Sequence, residues 1–441
     1  MKKYFALAMV ALLAVVGCNK DKPEDDTPEE KDAITVTPPS YSATKDGGDF
    51  TVTVDASGEY TATADVAWIT VSGTTVTVAE NTEYEARTGN ITFVCGEASA
   101  KVLVNQEAAP KPRTYTELEG PANSFVVTEG GDYKINATVM GNGDAGLHET
   151  FPVSSTALAP AGAKLVWQEV DGLVSEVNFA DGYIQFTVAN RDGNAVVAAT
   201  DAEGNVIWSW HIWSCEGFND VACGDYTLMD RNLGATLATG EDAIGLYYQW
   251  GRKDPFSFTL AFDPAAGEGW YYWVAGNNDA VSDPDIHSIA YSVAHPDQYI
   301  ATSSRNKDWL LEAGQHWLWG LDYSTLSLAA YPQFKSIYDP CPKGYCVSSA
   351  ACNGAGLSNG GHVNDDYTVS LFNGAITIPA GGFIFNGGFD WYNRGSYASI
   401  WSCSTSWGNP ENAFRLHSAN DAYDNYDRAT AAPVRCMKLA E

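Results

Sequence analysis

Residues 225–256 read DYTLMDRNLGATLATGEDAIGLYYQWGRKDPF and open the last and largest part of the chain. The stretch combines charged side chains with glycines and clustered aromatic residues. A charged side chain among aromatic rings needs a partner, so we expect structural ion pairs at Asp230, Arg231, Arg252 and Asp254. The stretch itself is therefore predicted to be structural, with a binding site more naturally placed in the aromatic segment that follows it.

The chain begins with an export signal. Residues 1–18 contain two lysines, an apolar run that is too short to span a bilayer, and a small residue before Cys18, which is typical of a removable signal peptide. Residues 15–18, VVGC, resemble a bacterial lipobox. That resemblance implies cleavage before Cys18 and attachment of acyl chains, such as palmitate, that anchor the protein. The alternative is an ordinary secretory signal with a chance cysteine.

An acidic tether follows the signal. Residues 19–33, NKDKPEDDTPEEKDA, contain seven acids, three lysines and two prolines. Such a segment cannot bury enough apolar surface to fold, so we expect an extended, disordered tether. It resembles the charged signal that directs lipoproteins of the Bacteroidetes to the outer face of the outer membrane. This resemblance implies a lipid-anchored protein exposed at the cell surface.

The composition restricts the class of partner. Twenty-five Lys and Arg residues against 55 Asp and Glu residues give a net charge of −30. Nucleic acids and anionic membrane surfaces attract basic faces, so neither is expected as a partner. Short alternating apolar runs predict a mostly β, multidomain chain. No CxxC motif or His/Cys cluster has the spacing of a zinc site, so no thiolate-bound metal is expected.

The first predicted folded unit spans residues 34–107. Its short period-two strands, separated by glycine turns, predict a β-sandwich. The order of FTVTV from residue 50, WITV from Trp68 and VNQ at residues 104–106 resembles a BACON domain, which implies an Ig-like sandwich that binds carbohydrate or acts as a spacer. Trp68 lies in an alternating strand and is predicted to be core rather than a sugar platform. Cys95 is expected to be a buried free thiol.

A second β-sandwich is predicted for residues 115–215, after a proline-containing linker. Its last strand places Ser209, His211 and Trp213 on one face. A histidine flanked by tryptophans suggests a ligand pocket. A central strand wedged between two domains explains the pattern as well, and we favour this structural interpretation.

Residues 216–441 contain five motifs in a characteristic order. They are MDRNLGAT from residue 229, GLYYQWGRKDPF from 245, YDPCPKGY from 338, IWSCST from 400 and PVRC from 433. The set resembles the Fibrobacter succinogenes major paralogous domain, found in surface lipoproteins of Bacteroidetes and Fibrobacteres. The resemblance implies an irregular α+β fold related to C-type lectins, with long loops closed by its terminal strands.

The same resemblance suggests disulfide bonds. Cys341 and Cys436 are the natural pair, which would tie the DPCPKGY turn to the final strand. Cys215 and Cys223 flank a short loop and are candidates for a second bridge. The remaining cysteines leave an odd count and two alternatives for one more bridge, Cys346–Cys403 or Cys352–Cys403.

Aromatic residues are the best candidates for a binding surface. Nine of the 14 tryptophans lie from Trp250 onward, and sugars stack on exposed rings. Large rings also serve as core in a loop-rich domain, and for any single ring this is the favoured interpretation. The candidate glycan platform consists of Trp270, Tyr271, Trp273, Trp391 and Tyr392. Asp421, Asp424 and Asp427 bunch carboxylates of the kind that calcium prefers, although acidic loops are common in so acidic a chain.

No catalytic motif such as GxSxG or HExxH is present, and no glycosidase carboxylate pair stands out among 55 acids. We therefore predict a non-enzymatic surface lipoprotein without an obligatory cofactor, which binds glycans or a host or surface protein through its last domain. The alternative is a structural or tip subunit of a surface fibre, with sheet edges pairing with a partner.

Overall fold

The computed structural model describes residues 31–149, 151, 153–257, 285–300, 308–311, 316–320, 334–384, 391–405, 412–418 and 423–439. Cys18 and nearly all of the acidic tether lie outside these residues. The chain forms two compact units, the N-terminal unit Met1–Arg113 and the C-terminal unit Thr114–Glu441. The predicted fold class, mostly β and multidomain with sandwich-type sheets, is confirmed. Among the described residues, neither helix has the length and hydrophobicity needed to traverse a bilayer.

The N-terminal unit has nine described strands. They are β1 Ile34–Thr37, β2 Ser40–Ala43, β3 Gly48–Thr51, β4 Thr53–Ala56, β5 Thr61–Ala64, β6 Ile69–Ser72, β7 Thr75–Val78, β8 Arg87–Cys95 and β9 Ala98–Gln106. A four-stranded sheet in the order β2-β9-β8-β5 faces a three-stranded sheet β3-β7-β6, while β1 pairs with β4. The period-two alternation of apolar residues suits such sheets, because successive side chains of a strand point to opposite faces and one face can be apolar.

The core of the N-terminal unit follows that alternation. In β8, Ile91, Phe93 and Cys95 are buried while the residues between them face outward. Cys95 is a free thiol, as predicted. The half-buried Trp68 packs against this core, and the guanidinium of Arg87 lies 4.5 Å from its ring centroid. Trp68 therefore contributes to packing, in line with the structural interpretation of the sequence.

The C-terminal unit begins with a second sandwich. Its strands are β10 Thr116–Glu117, β11 Ser124–Val127, β12 Gly131–Asn136, β13 Gly162–Gln168, β14 Val174–Ala180, β15 Tyr183–Val188, β16 Gly193–Thr200 and β17 Val206–Ser214. They form two four-stranded sheets, ordered β10-β12-β15-β14 and β11-β17-β16-β13. Both faces of β17 are covered, and His211 at its centre is 1% exposed, bonded to Ser124 and Asn194. The histidine thus belongs to a wedged central strand.

The rest of the unit is built from short strands and long connections. The strands are β18 Asp220–Cys223, β19 Tyr226–Met229, β20 Tyr247–Gln249, β21 Tyr345–Val347, β22 His362–Val363, β23 Val369–Leu371, β24 Ile376–Ile378, β25 Phe383–Ile384, β26 Trp391–Tyr392, β27 Ser399–Thr405, β28 Asn412–His417, β29 Tyr423–Asp427, β30 Ala431–Pro433 and β31 Cys436–Lys438. The described helices are α1 Ile289–Ala294 and α2 Ala350–Ser358. Four small sheets result: β18-β19-β31-β21, β20-β30-β25-β26, β22-β23-β24 and β27-β28-β29.

The 225–256 stretch is tied to the end of the chain. Strand β19 pairs with the last strand, β31, and β20 pairs with β30. The buried guanidinium of Arg435 donates to Asn232 Oδ1 at 2.8 Å, to the Met229 carbonyl at 3.0 Å and to the Thr377 carbonyl at 3.0 Å. A cation that satisfies three acceptors in the interior fixes its surroundings strongly. The stretch is therefore a structural clasp for the terminal strands.

Glycines permit this close packing at two places. Gly245 has φ +72°, and a Cβ there would lie 2.5 Å from the Leu233 carbonyl oxygen; Gly251 has φ +88°, and its Cβ would lie 2.6 Å from Leu318 Cδ1. Only glycine adopts such a backbone without steric penalty while leaving the neighbour undisturbed. This explains why both positions of the stretch lack a side chain.

The second sandwich shares one core with the part that follows it. Tryptophans of β17 belong to the same buried cluster as Trp250, Trp319 and Trp401. The Asn123 amide donates to the Ile337 and Asp339 carbonyls at 2.7 and 2.9 Å. Residues 114–441 are accordingly one compact unit, and the domain boundary between residues 215 and 216 stays a prediction.

Candidate ligand-binding site

The C-terminal unit contains a groove of about 420 Å³. Its walls come from four separate places in the chain. The lining residues are Ala238, Thr239, Gly240, Glu241, Ala243, Ile244, Asp366, Thr368, Thr377, Pro379, Ala380, Arg394 and Gly395. The volume falls in the range of small-molecule binding sites, and the lining mixes apolar surface with a few polar groups, as such sites do.

Secondary structure positions each wall. A 3-10 turn at Glu241–Ala243 forms one side, and the turn between β22 and β23 forms another. The connection from β24 to β25 supplies the floor together with Ala243 and Ile244 at the end of the 3-10 turn. Strand β26 pairs with β25 through Ile384 and Trp391, which places Arg394, three residues after Trp391, at the last side.

The floor of the groove is apolar and firmly supported. Ala243, Ile244 and Ala380 are largely buried, and Ile244 belongs to a small core cluster with Tyr247. The Tyr247 hydroxyl donates to the Gly381 carbonyl, and burial raises the pKa of that phenol. The floor is therefore a preformed surface against which an apolar face of a ligand can pack.

The walls carry charge of both signs. Asp366 Oδ1 accepts the Thr368 hydroxyl at 2.7 Å and the Thr368 N–H at 3.1 Å. These bonds hold the pKa of the Asp366 carboxyl below its usual range, so it is ionised at neutral pH. Arg394 Nη2 lies 3.9 Å from Glu241 Oε2, and because Glu241 is 90% exposed this contact is weak. The groove thus offers carboxylate acceptors, a guanidinium donor and hydroxyls to a polar ligand.

The predicted aromatic platform meets the groove at one point. Trp270, Tyr271 and Trp273 lie outside the described residues. Trp391 and Tyr392 form β26, whose side chains are also outside the description, and their backbone directly precedes the segment that carries Arg394. The glycan platform stays a prediction, and its last two members precede the groove residue Arg394 in the chain.

One predicted charge pair is confirmed. Arg231 Nε lies 2.9 Å from Asp230 Oδ1, and the Arg231 side chain is 2% exposed. Its Nη1 donates to the Thr236 carbonyl at 2.9 Å, so the ion pair also fixes the loop after it. This pair is structural, as the sequence indicated.

The predicted ion pair of Arg252 is wrong. Its guanidinium donates to Gln249 Oε1 at 2.9 Å, the Gln298 carbonyl at 2.6 Å and the His295 carbonyl at 3.1 Å. The His295 carbonyl caps α1, where carbonyls lack a helical partner and carry partial negative charge, and together with the other acceptors it takes the place of a carboxylate partner for this guanidinium. The buried ion pair predicted for Asp254 is confirmed, and its partner is the neighbouring Lys253, at 2.7 Å.

Among the disulfide predictions, one is confirmed and the others are wrong. The Cys341–Cys436 disulfide is confirmed. A Cys215–Cys223 bridge is wrong, because both thiols are free and pack into different clusters of the core. The alternatives that bridge Cys403 are not formed either: the three remaining thiols, Cys346, Cys352 and Cys403, are free and buried.

The calcium candidates are not assembled in the described part of the chain. Asp421 and the side chain of Asp424 lie outside it, and Asp427 ends β29. Among the described residues, no group of three or more His, Cys, Asp or Glu side chains has the geometry of a metal site.

Sequence reasoning missed the groove itself. One wall, residues 238–244, belongs to the 225–256 stretch, which was interpreted as purely structural. Asp366 and Thr368 lie in the unremarked run NDDYT at residues 364–368. A turn-forming run that contains an aromatic residue is the signal that was available.

Comparison with known proteins identifies the N-terminal unit in part. Residues 58–107 match the family model described as BACON, a putative binding domain, N-terminal. The match covers only this segment. The comparison with curated proteins returned no match.

Solved structures resemble parts of the chain at low overall scores. A Bacteroides ovatus GH5 xyloglucanase in complex with a heptasaccharide has 22% identity and TM-score 0.17, over 21% of this chain and 22% of that one. A protein from Bacteroides vulgatus has 21% identity and TM-score 0.14, over 18% and 93%. Titin domains I67–I69 have 12% identity and TM-score 0.20, over 43% and 68%. The chain spans less than a quarter of the xyloglucanase, and we transfer no function from these structures.

Proposed function

We propose that this protein is a non-enzymatic lipoprotein, anchored through Cys18 at the outer face of the outer membrane, that binds glycans through the groove of its C-terminal unit. The observation that carries the proposal is the groove's lining. Its apolar floor is ringed by Asp366, Arg394 and threonine hydroxyls, which is the chemistry that a sugar ring with one apolar face and several hydroxyls requires.

Two further features support the proposal. The motif order from residue 229 to 436 resembles the Fibrobacter succinogenes major paralogous domain of surface lipoproteins, and residues 58–107 match a putative binding domain. The acidic tether would separate the folded units from the membrane, which suits a protein that meets ligands outside the cell.

The groove is tested by a double substitution, Asp366→Asn with Arg394→Gln. Asp366→Asn keeps the side-chain size, and an asparagine Oδ1 still accepts the Thr368 bonds that shape the turn. Arg394→Gln removes the guanidinium charge and shortens the side chain. Hydrogen bonds to charged groups contribute about 1.5–3 kcal/mol each, so we expect at least roughly tenfold weaker binding. The measurement is titration calorimetry of the full-length protein with a glycan selected on an array.

A matched control uses Asp220→Asn with Lys438→Gln. These residues form an exposed ion pair of 2.7 Å, and neither lines the groove. The control should bind as tightly as the wild type. Equal affinity of the groove variant and the wild type would exclude the groove, and absence of binding to any glycan, with or without calcium, would reject glycan binding altogether.

The anchor is tested separately with Cys18→Ser. We expect the wild-type protein to incorporate labelled palmitate, to sediment with outer membranes and to be cut by protease added to intact cells. The variant should lose the label and leave the membrane fraction, because a single acylated cysteine supplies the whole anchor. Cys95→Ala, which alters a buried thiol, should keep the label. Persistent labelling of Cys18→Ser would contradict the proposed anchor.

A further inference from the structure

Exposed apolar side chains of the C-terminal unit belong to the chain segments that form the groove. In the described part of residues 114–441, three large hydrophobic side chains are exposed: Leu237 at 43%, Val363 at 43% and Tyr367 at 51%. Leu237 precedes the groove residue Ala238, and Tyr367 stands between the groove residues Asp366 and Thr368. Val363 pairs across the sheet with Val369, next to Thr368. Exposed apolar surface beside a polar cavity marks a place where a partner binds.

The turn that carries Tyr367 is held rigidly. The Asn364 N–H donates to the Thr368 carbonyl at 2.9 Å, and the Tyr367 N–H donates to the Asn364 carbonyl at 3.0 Å. The Asn364 side-chain amide donates to the Thr368 hydroxyl at 2.7 Å, which in turn donates to Asp366. A ring on such a turn loses little conformational freedom when it meets a ligand, which favours binding.

Tyr367 has an unusual backbone. Its φ is +62°, in the left-handed region that costs a non-glycine residue free energy. Asn393, immediately before the groove residue Arg394, also has a positive φ, of +61°. Such conformations persist where the surrounding structure enforces them and concentrate at binding sites. A glycine would suit position 367 better for stability alone, so its tyrosine calls for an explanation through the ring.

The charges around the groove restrict the ligand. Glu241 and Asp366 line it, and the exposed Asp242 and Asp365 are their sequence neighbours. Arg394 is the one cationic side chain in the lining. Acids therefore outnumber cations on a chain whose net charge is −30. A polyanionic ligand would be repelled, whereas an uncharged polyol can donate its hydroxyls to the carboxylates.

We propose that Tyr367, which stands beside the groove between two of its lining residues, is a stacking ring at the rim and that the groove selects uncharged glycans over uronate-containing ones. The inference rests on the proposed glycan binding and assigns its ligand class. One apolar face of a pyranose packs on the Tyr367 ring. Its hydroxyls donate to the carboxylates of Asp366 and Glu241 and accept from Arg394.

The test compares Tyr367→Gly and Tyr367→Phe with Tyr84→Ala, in the full-length protein. Tyr84 is a matched control, because it is 48% exposed and lies in the other unit. Cello- and xylo-oligosaccharides serve as uncharged probes, and oligogalacturonates as anionic probes, in titration calorimetry at low and high salt. Melting temperatures are measured in parallel.

We expect Tyr367→Gly to weaken binding of the uncharged probes by about tenfold or more while melting at or above the wild-type temperature, since glycine relieves the positive φ. Tyr367→Phe and Tyr84→Ala should bind like the wild type. Unchanged affinity of Tyr367→Gly overturns the role of the ring but leaves glycan binding intact. Preference for oligogalacturonates overturns the ligand class alone. Absence of binding to both probe classes and to every arrayed glycan overturns the inference together with the proposed function.

Discussion

The double substitution Cys341→Ala and Cys436→Ala should lower the free energy of unfolding of the C-terminal unit by about 4–5 kcal/mol. The disulfide joins positions separated by 95 residues, and both cysteines are fully buried. Cross-linking so long a segment removes a large part of the conformational entropy of the unfolded chain. The bridge also ties the DPCPKGY turn to the strand that closes the unit.

Denaturant unfolding followed by tryptophan fluorescence measures this loss, since every tryptophan except Trp68 belongs to the C-terminal unit. Cys403→Ala is the control, because it removes a buried free thiol from the same unit. It should cost about 1 kcal/mol, the typical value for a small core deletion. A reductant should destabilise the wild type and leave the double variant unchanged. Equal stability of the double variant and Cys403→Ala would contradict the assignment.

Asp339→Ala should have the second largest effect, a loss of about 3–5 kcal/mol. The Asp339 carboxylate is fully buried, accepts from Lys335 Nζ at 2.7 Å and also receives the N–H groups of Cys341 at 2.9 Å and Val347 at 3.0 Å. Lys335 further donates to the Cys341 and Tyr345 carbonyls at 2.8 and 2.6 Å. Removing the carboxylate leaves a largely buried ammonium and two amides without their acceptor.

The same unfolding measurement tests this prediction. Lys343→Ala is a matched control in the same loop, because its ion pair with Glu119, at 2.8 Å, is exposed; it should cost about 0.2–1 kcal/mol. A double variant, Lys335→Met with Asp339→Leu, should lose less than the sum of the two single changes, because no unpaired charge stays buried. Additive losses would show that the two residues do not act as a pair.

Much of the architecture was predictable because it depends on local patterns. Period-two strands and glycine turns predicted a mostly β, multidomain chain. Motif order identified the segment of the BACON match and the Cys341–Cys436 pair. The Asp230–Arg231 pair was predictable because its partners are adjacent in sequence.

Other predictions failed where several partners compete for one group. Arg252 sits two residues from Asp254, yet it donates to the backbone carbonyls of His295 and Gln298, while Lys253 pairs with the Asp254 carboxylate. Cys215 and Cys223 are close in sequence, yet their strands direct them into different core clusters. Proximity along the chain does not decide such choices, because the geometry of the packed interior does.

The sequence by itself determined the mostly β fold class, the acidic charge, the motifs between residues 229 and 436 and the disulfide that joins two of them. Only the tertiary structure decided where the groove lies and that Tyr367 stands beside it. The walls of the groove come from segments that are far apart in the chain, and no spacing rule connects them. These segments are residues 238–244, 366–368, 377–380 and 394–395. Local patterns record what each segment prefers, whereas a binding site depends on which segments packing brings together.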